Sequence, residues 1–162
     1  MKEIFDKISS YNLFNYLLPG ILFVWLSQYL TTYNFVLENN FIGAFAYYFI
    51  GMTISRFGSL FIEPILKKVS FLKFADYKDF VQKSKIDQKI ELLSEVNNTY
   101  RTITALFCLL LLLKMYNYFQ TIWTISDNVS ILILIVSVGC LFLFSYRKQT
   151  NYITKRIKTN NP

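Results

Sequence analysis

The sequence predicts an all-α, polytopic membrane protein. Four transmembrane helices and a helical cytoplasmic loop between the second and third form one membrane domain over residues 1–162. Three observations predict it. Four long apolar stretches occupy about residues 13–32, 41–66, 102–119 and 129–146, each near the roughly 20 residues that cross a bilayer as helix. Lys and Arg avoid the connections 33–40 and 120–128, whereas the start of the chain, the loop 67–101 and the tail 147–162 carry 2, 8 and 5 of the 17. Short loops rich in Lys and Arg stay cytoplasmic, so both ends are expected in the cytosol, at a bacterial inner membrane. Aromatics, 19% of residues, gather where interfacial belts belong: Tyr11, Phe14 and Tyr16 inside, Tyr29, Tyr33, Tyr116, Tyr118 and Trp123 outside.

Residues 1–10 read as amphipathic and lead into an apolar run long enough to span, with no small-residue cleavage site. A removable signal is therefore not expected. The first span carries Asn12, Asn15 and Pro19-Gly20 in its cytoplasmic third. Pro19 cannot donate to the carbonyl of Asn15, so a kink is expected there. Pro19 and Gly20 are candidate hinge residues, either a packing kink or a hinge lining a polar cavity.

The second span is the most unusual. Met52, Thr53, Arg56, Ser59 and Glu63 share one helical face. Gly51, Ser55 and Ser59 repeat every fourth residue, the small-residue pattern that lets two helices approach closely, here a candidate contact between copies. Arg56 precedes Lys67 by eleven residues, about 16 Å along a helix. A central Arg costs roughly 2.5–3.5 kcal/mol on insertion scales and should face protein or water. Three readings stay open: snorkelling to the headgroups, glue between helices or subunits through Glu63 or Asn15, and a pore or ligand site. The candidate intramembrane polar site is Arg56, Glu63, Ser59 and Asn15.

The loop 67–101 has neither Gly nor Pro. Phe71, Phe74, Tyr77, Phe80 and Val81 recur at three- to four-residue spacing among Lys73, Lys78 and Lys83. That pattern predicts an amphipathic helix on the inner leaflet. Phe74, Tyr77, Lys78 and Lys83 are the candidate lipid- or partner-binding residues. A helix start is expected at Ser84, running from there into span three as a stalk below the membrane. Span three is leucine-rich and ends near Lys114, expected to snorkel outward. Span four carries no charge, and the basic tail suits lipid headgroups.

Chemistry is conspicuous by its gaps. The chain has no His, the commonest metal ligand and general base. Cys108 and Cys140 lie within spans and read as packing residues. Phosphate loops, nucleophile elbows and paired intramembrane carboxylates are missing, so no enzyme, cofactor or metal is expected. The net charge of +7 lies on the cytoplasmic side, where anionic lipids explain it better than nucleic acid does.

The run Tyr-Asn-Leu-Phe-Asn-Tyr-Leu-Leu-Pro-Gly at 11–20, an Arg-bearing second span and a basic loop resemble small bacterial membrane proteins. The layout is similar to that of membrane components of anti-phage defence systems. That resemblance implies a soluble sensor paired with a multi-span effector that depolarises the membrane. The expected function is thus a non-enzymatic, homo-oligomeric effector or signal-receiving component that alters permeability, with lipids and a cytosolic protein as partners. The alternatives are a membrane anchor or scaffold recruiting a cytosolic partner through 67–101, and a small transporter for an anionic solute using Arg56.

Overall fold

The computed structural model describes residues 11–160; the amphipathic reading of residues 1–10 lies outside them. Five helices account for most of the described chain: α1 (Leu13–Leu30), α2 (Asn40–Lys68), α3 (Tyr77–Ser84), α4 (Lys89–Trp123) and α5 (Asp127–Asn160). Four of them, all but α3, are long and apolar enough to cross a membrane. Among the described residues there is no strand. The spans therefore fall where the hydropathy places them, with α4 and α5 extending well past the expected ends of spans three and four.

Two of the long helices contain one wide turn each, over Leu13–Leu17 in α1 and Gly58–Ile62 in α2. Leu18 N–H reaches Leu13 O and Glu63 N–H reaches Gly58 O, a spacing of five rather than four. Each wide turn comes just before a proline, Pro19 or Pro64. A proline ring clashes with the carbonyl four residues earlier and offers it no hydrogen. Widening the preceding turn moves that carbonyl aside without breaking the helix. The kink expected near Pro19 takes this form; the one at Pro64 has the same cause.

Helices α1 and α2 run antiparallel at backbone contact. A Cβ on Gly51 would lie 1.7 Å from Tyr16 O, and one on Gly20 would lie 1.8 Å from Tyr47 O. Only glycine permits either approach, and the two contacts are reciprocal, since Gly20 and Gly51 each follow a contacted tyrosine by four residues. Apolar burial drives little association inside lipid, so such close packing is a principal source of helix adhesion there. Of the face Gly51, Ser55, Ser59, expected to meet a second copy, the structure buries Gly51 against α1 and Ser55 beside Thr102 of α4, within the same chain, and leaves Ser59 half-buried.

The third long helix completes the core. Ile54 of α2 packs with Ala105, Leu106 and Leu110 of α4, flanked by Phe23, Leu26 and Phe57. Gly58, in the wide turn, lets α2 rest on Ala105 and on the Arg101 backbone. Helix α5 leans on this unit from one side. Phe142 stacks on Phe49 with ring centroids 5.7 Å apart, while Ile131–Val136 and Gly139 face outward.

The loop departs from expectation. Residues 71–76 are not helical, so the amphipathic helix is shorter than its aromatic spacing suggested and Phe74 precedes it. Ser70 takes a left-handed conformation (φ 60°) that turns the chain after α2. Lys67 Nζ then sits 4.0 Å over the Phe74 ring, a cation–π contact that holds the segment against the end of α2. Helix α3 buries Val81 and Ser84 and leaves Lys78 and Lys83 exposed, with Tyr77 set against Tyr152 of α5. Ser84 closes α3 rather than opening the next helix. Asp87 does that, its Oδ1 accepting from Lys89 N–H at 2.9 Å.

Candidate functional site

Two polar layers interrupt the apolar packing near the Lys- and Arg-rich end of the bundle. The inner layer joins three helices. Thr102 of α4 is fully buried, and Asn15 of α1 is 1% exposed. Thr102 Oγ1 lies 2.8 Å from Asn15 Oδ1, 3.1 Å from Ser55 Oγ and 2.9 Å from Asn98 O. A hydroxyl has one proton to donate, so Thr102 donates to one oxygen and accepts from Ser55. Asn15 Nδ2 is buried without a partner in this arrangement. The amide turned end for end also fits, with Nδ2 donating to Thr102. Such a knot specifies one packing of the three helices, because any other strands buried polar groups.

The outer layer is charged. Glu63 of α2 is 8% exposed. Its Oε1 accepts from Lys67 Nζ at 2.8 Å, and its Oε2 from Arg101 Nη1 of α4 at 2.9 Å. Lys148 of α5 donates to Ser59 O at 2.6 Å and to Ser59 Oγ at 2.8 Å. Within the wide turn the hydrogen-bond step is five residues, so residue 64 would serve the Ser59 carbonyl. Residue 64 is Pro64, which has no N–H. Lys148 therefore fills the vacancy that Pro64 leaves, tying α5 to α2. It also interacts electrostatically with Glu63, Arg101, Lys67 and Arg56. Lys67, Arg101 and Lys148 thus surround one acid, and Arg101 Nε is buried without a hydrogen-bond partner.

The expected intramembrane site is distributed between these layers. Asn15 belongs to the inner one, with Ser55; Glu63 and Ser59 belong to the outer one. Arg56 is half-buried and makes no ion pair among the described residues, the carboxylate of Glu63 being taken by Lys67 and Arg101. Pro19 and Gly20 are both buried, Gly20 against α2. Thr102, Arg101, Lys148 and Pro64 were not singled out from the sequence. Thr102 and Arg101 sit at the expected start of span three, and Lys148 reads locally as one more cation of a basic tail. The signal for Lys148 is Pro64, since a proline in a lipid-embedded helix demands a donor from elsewhere.

At the opposite end, polar side chains close the outer loops. The Tyr33 hydroxyl donates to Gln120 Oε1, Gln120 Nε2 donates to Asp127 Oδ1 at 3.1 Å, and Asn117 exchanges hydrogen bonds with Thr32. Burial raises the pKa of Tyr33, followed by the influence of Tyr116 and Asp127, so its phenol stays neutral. These residues line an open depression of about 560 Å³. Among the described residues no three His, Cys, Asp or Glu side chains are grouped to hold a metal, and Cys108 and Cys140 are free thiols. Comparison with protein-family models, with curated proteins and with solved structures finds no match to this chain.

Proposed function

We propose that the protein is a non-enzymatic, oligomeric component of a bacterial inner membrane. Its cytoplasmic helical head receives a protein partner or signal, and its output is a change in membrane permeability. Anti-phage defence is the setting its layout resembles, and neither nucleic acid nor a cofactor enters the proposal. One observation carries the reading. Helix α4 has 35 residues and α5 has 34, each about 50 Å long at 1.5 Å per residue, against a hydrocarbon core of about 30 Å. If the charged layer marks the headgroups, residues 89–100 of α4 project about 18 Å beyond it. That segment exposes Leu92, Leu93 and Val96, at 60%, 66% and 41%, beside Glu91 and Glu95. Apolar side chains exposed to water rather than lipid mark a docking surface.

The same head supports assembly of copies. The end of α5 exposes Ile153 and Ile157 beside Lys155, Arg156 and Lys158, opposite in charge to Glu91 and Glu95. A head-to-tail contact between such surfaces is heterologous and closes into rings when the rotation allows. Head and bundle are coupled through Arg101–Glu63 and Lys148–Ser59, which favours a signal-coupled component over a passive anchor. An anion transporter has less support, since Asn15, Ser55 and Thr102 bond one another rather than line a path.

Reporter fusions after Gln82 and Ser126 test the orientation, with cytoplasmic and periplasmic readings expected respectively. Membrane potential is then followed after induction of the wild type and of Leu93→Lys. Depolarisation by the wild type that Leu93→Lys abolishes, at equal abundance, supports the reading. A potential unaffected by the wild type, with a cytosolic protein still recruited, leaves the anchor reading in its place.

A further inference from the structure

A cleft of about 280 Å³ opens beside the charged layer, between the end of α2, the non-helical segment 71–74 and α4. One wall is apolar, made by Ile62, Leu66, Phe71 and Leu72; Glu63 and Arg101 lie at the other. We propose that this cleft binds one anionic phospholipid from the leaflet on the head side, its phosphate held by Arg101 of the lining and by Lys67, which sits at the cleft's edge over Phe74, and the start of an acyl chain lying along Ile62, Leu66 and Leu72. The inference rests on the reading that α1, α2, α4 and α5 are embedded in a membrane.

Three features point to this occupant. The first is charge. Lys67, Arg101 and Lys148 all act on Glu63, their one acid, a surplus of two positive charges. Repulsion among partly buried cations is poorly screened, and an anion relieves it. The second is the guanidinium. Arg101 gives Nη1 to Glu63 and still lines the cleft with its side chain 21% exposed, and a guanidinium presents a fork of donors suited to phosphate. The third is the apolar wall, which an inorganic anion leaves uncovered and an acyl chain covers. The volume is near the lower end for ligand pockets. It suits the glycerol phosphate and the first part of a chain, with the remainder lying among neighbouring lipids.

The test is native mass spectrometry of the full chain in detergent, with phosphatidylglycerol, phosphatidylcholine or inorganic phosphate added separately. Phosphatidylglycerol is expected to bind as a single adduct at least tenfold more tightly than phosphatidylcholine, and phosphate alone to give no adduct. Lys67→Gln removes one cation while leaving the Arg101–Glu63 pair, and Leu72→Glu places a negative charge on the apolar wall of a non-helical segment. Each should weaken phosphatidylglycerol binding at least fivefold in protein that remains folded, and Leu72→Glu does so with the Lys67–Glu63 pair intact. Lys155→Gln, on the distal part of α5, should leave it unaltered. Equal binding of the two lipids, or binding indifferent to both Lys67→Gln and Leu72→Glu, overturns the site. Phosphate binding as strong as that of phosphatidylglycerol overturns the lipid as occupant. Alkaline carbonate extraction of native membranes separates the two claims. A protein that stays in the membrane but shows no lipid preference loses the site alone, whereas one that is released loses the membrane reading as well.

Discussion

Lys148→Met should loosen α5 from the rest of the bundle, and Pro64 supplies the reason. The ammonium bonds the Ser59 carbonyl at 2.6 Å and the Ser59 hydroxyl at 2.8 Å. Methionine keeps the length of the stem and removes both donors. The hydroxyl can rotate to another acceptor, but the carbonyl cannot, because Pro64 has no hydrogen to offer. Leaving a buried acceptor unpaired costs about 1–3 kcal/mol. Two electrostatic changes partly cancel: Lys148 loses its attraction to Glu63 and also its repulsion from Arg56, Lys67 and Arg101. The net cost is about 2 kcal/mol, a shift of roughly thirtyfold in the docking equilibrium. Titration with SDS measures the loss of stability. A thiol crosslink between Phe49→Cys and Phe142→Cys, introduced after replacing Cys108 and Cys140 by Ser, reports whether α5 stays beside α2 at the place where the two rings meet in the parent chain. The decisive arm is a double-mutant cycle with Pro64→Ala. Alanine restores an N–H at residue 64, so the Ser59 carbonyl no longer depends on Lys148. Lys148→Met should then cost at least 1 kcal/mol less than in the parent chain. Strictly additive penalties, or an unchanged crosslink in Lys148→Met, would refute the link between the proline and the lysine.

Three further outcomes follow from the packing. Gly51→Ala should sharply lower the yield of folded protein, because its Cβ meets Tyr16 O at 1.7 Å. The loss should reach the upper part of the range of about 1–3 kcal/mol for overpacking, and Gly139→Ala, with open space around it, should be neutral by the same SDS titration. Thr102→Val keeps the shape but strands Asn15 Oδ1 and Ser55 Oγ, so it should destabilise by about 1–3 kcal/mol while Thr102→Ser stays close to the parent. Arg56→Leu should leave stability and abundance unchanged or slightly raised, since Arg56 holds no ion pair among the described residues and its insertion cost disappears; a fall in both on quantitative blotting would reveal a partner in another copy.

The four spans were legible because each is a local property. A run of apolar residues matched to a bilayer's thickness needs no knowledge of its neighbours, and four helices of that length and hydropathy form where the runs lie. The disturbed turn before Pro19 was equally legible, since proline acts on its own helix. Helical spacing also put Ser59 and Glu63 on one polar face and Ser55 in a small-residue stripe, and Asn15 stood out as a polar residue of the first span; polar groups there must find partners. It could not say which partners. Those are Thr102 and Arg101 of α4 and Lys148 of α5, between 38 and 89 residues distant along the chain. Periodicity identifies the face a helix turns inward but not the helix that meets it. The same limit explains Arg56 and Gly51. Intramembrane charge made Arg56 conspicuous, yet only the packing of α4 beside α2 gave Glu63 to Arg101 instead. The small-residue stripe announced a close approach, and whether it met a second copy or α1 depended on how the chain doubled back after Thr31. Composition determined that this chain is a set of membrane-length helices with one basic side. Which buried polar groups satisfy one another was decided by three-dimensional packing, because a hydrogen bond depends on position in space rather than on distance along the sequence.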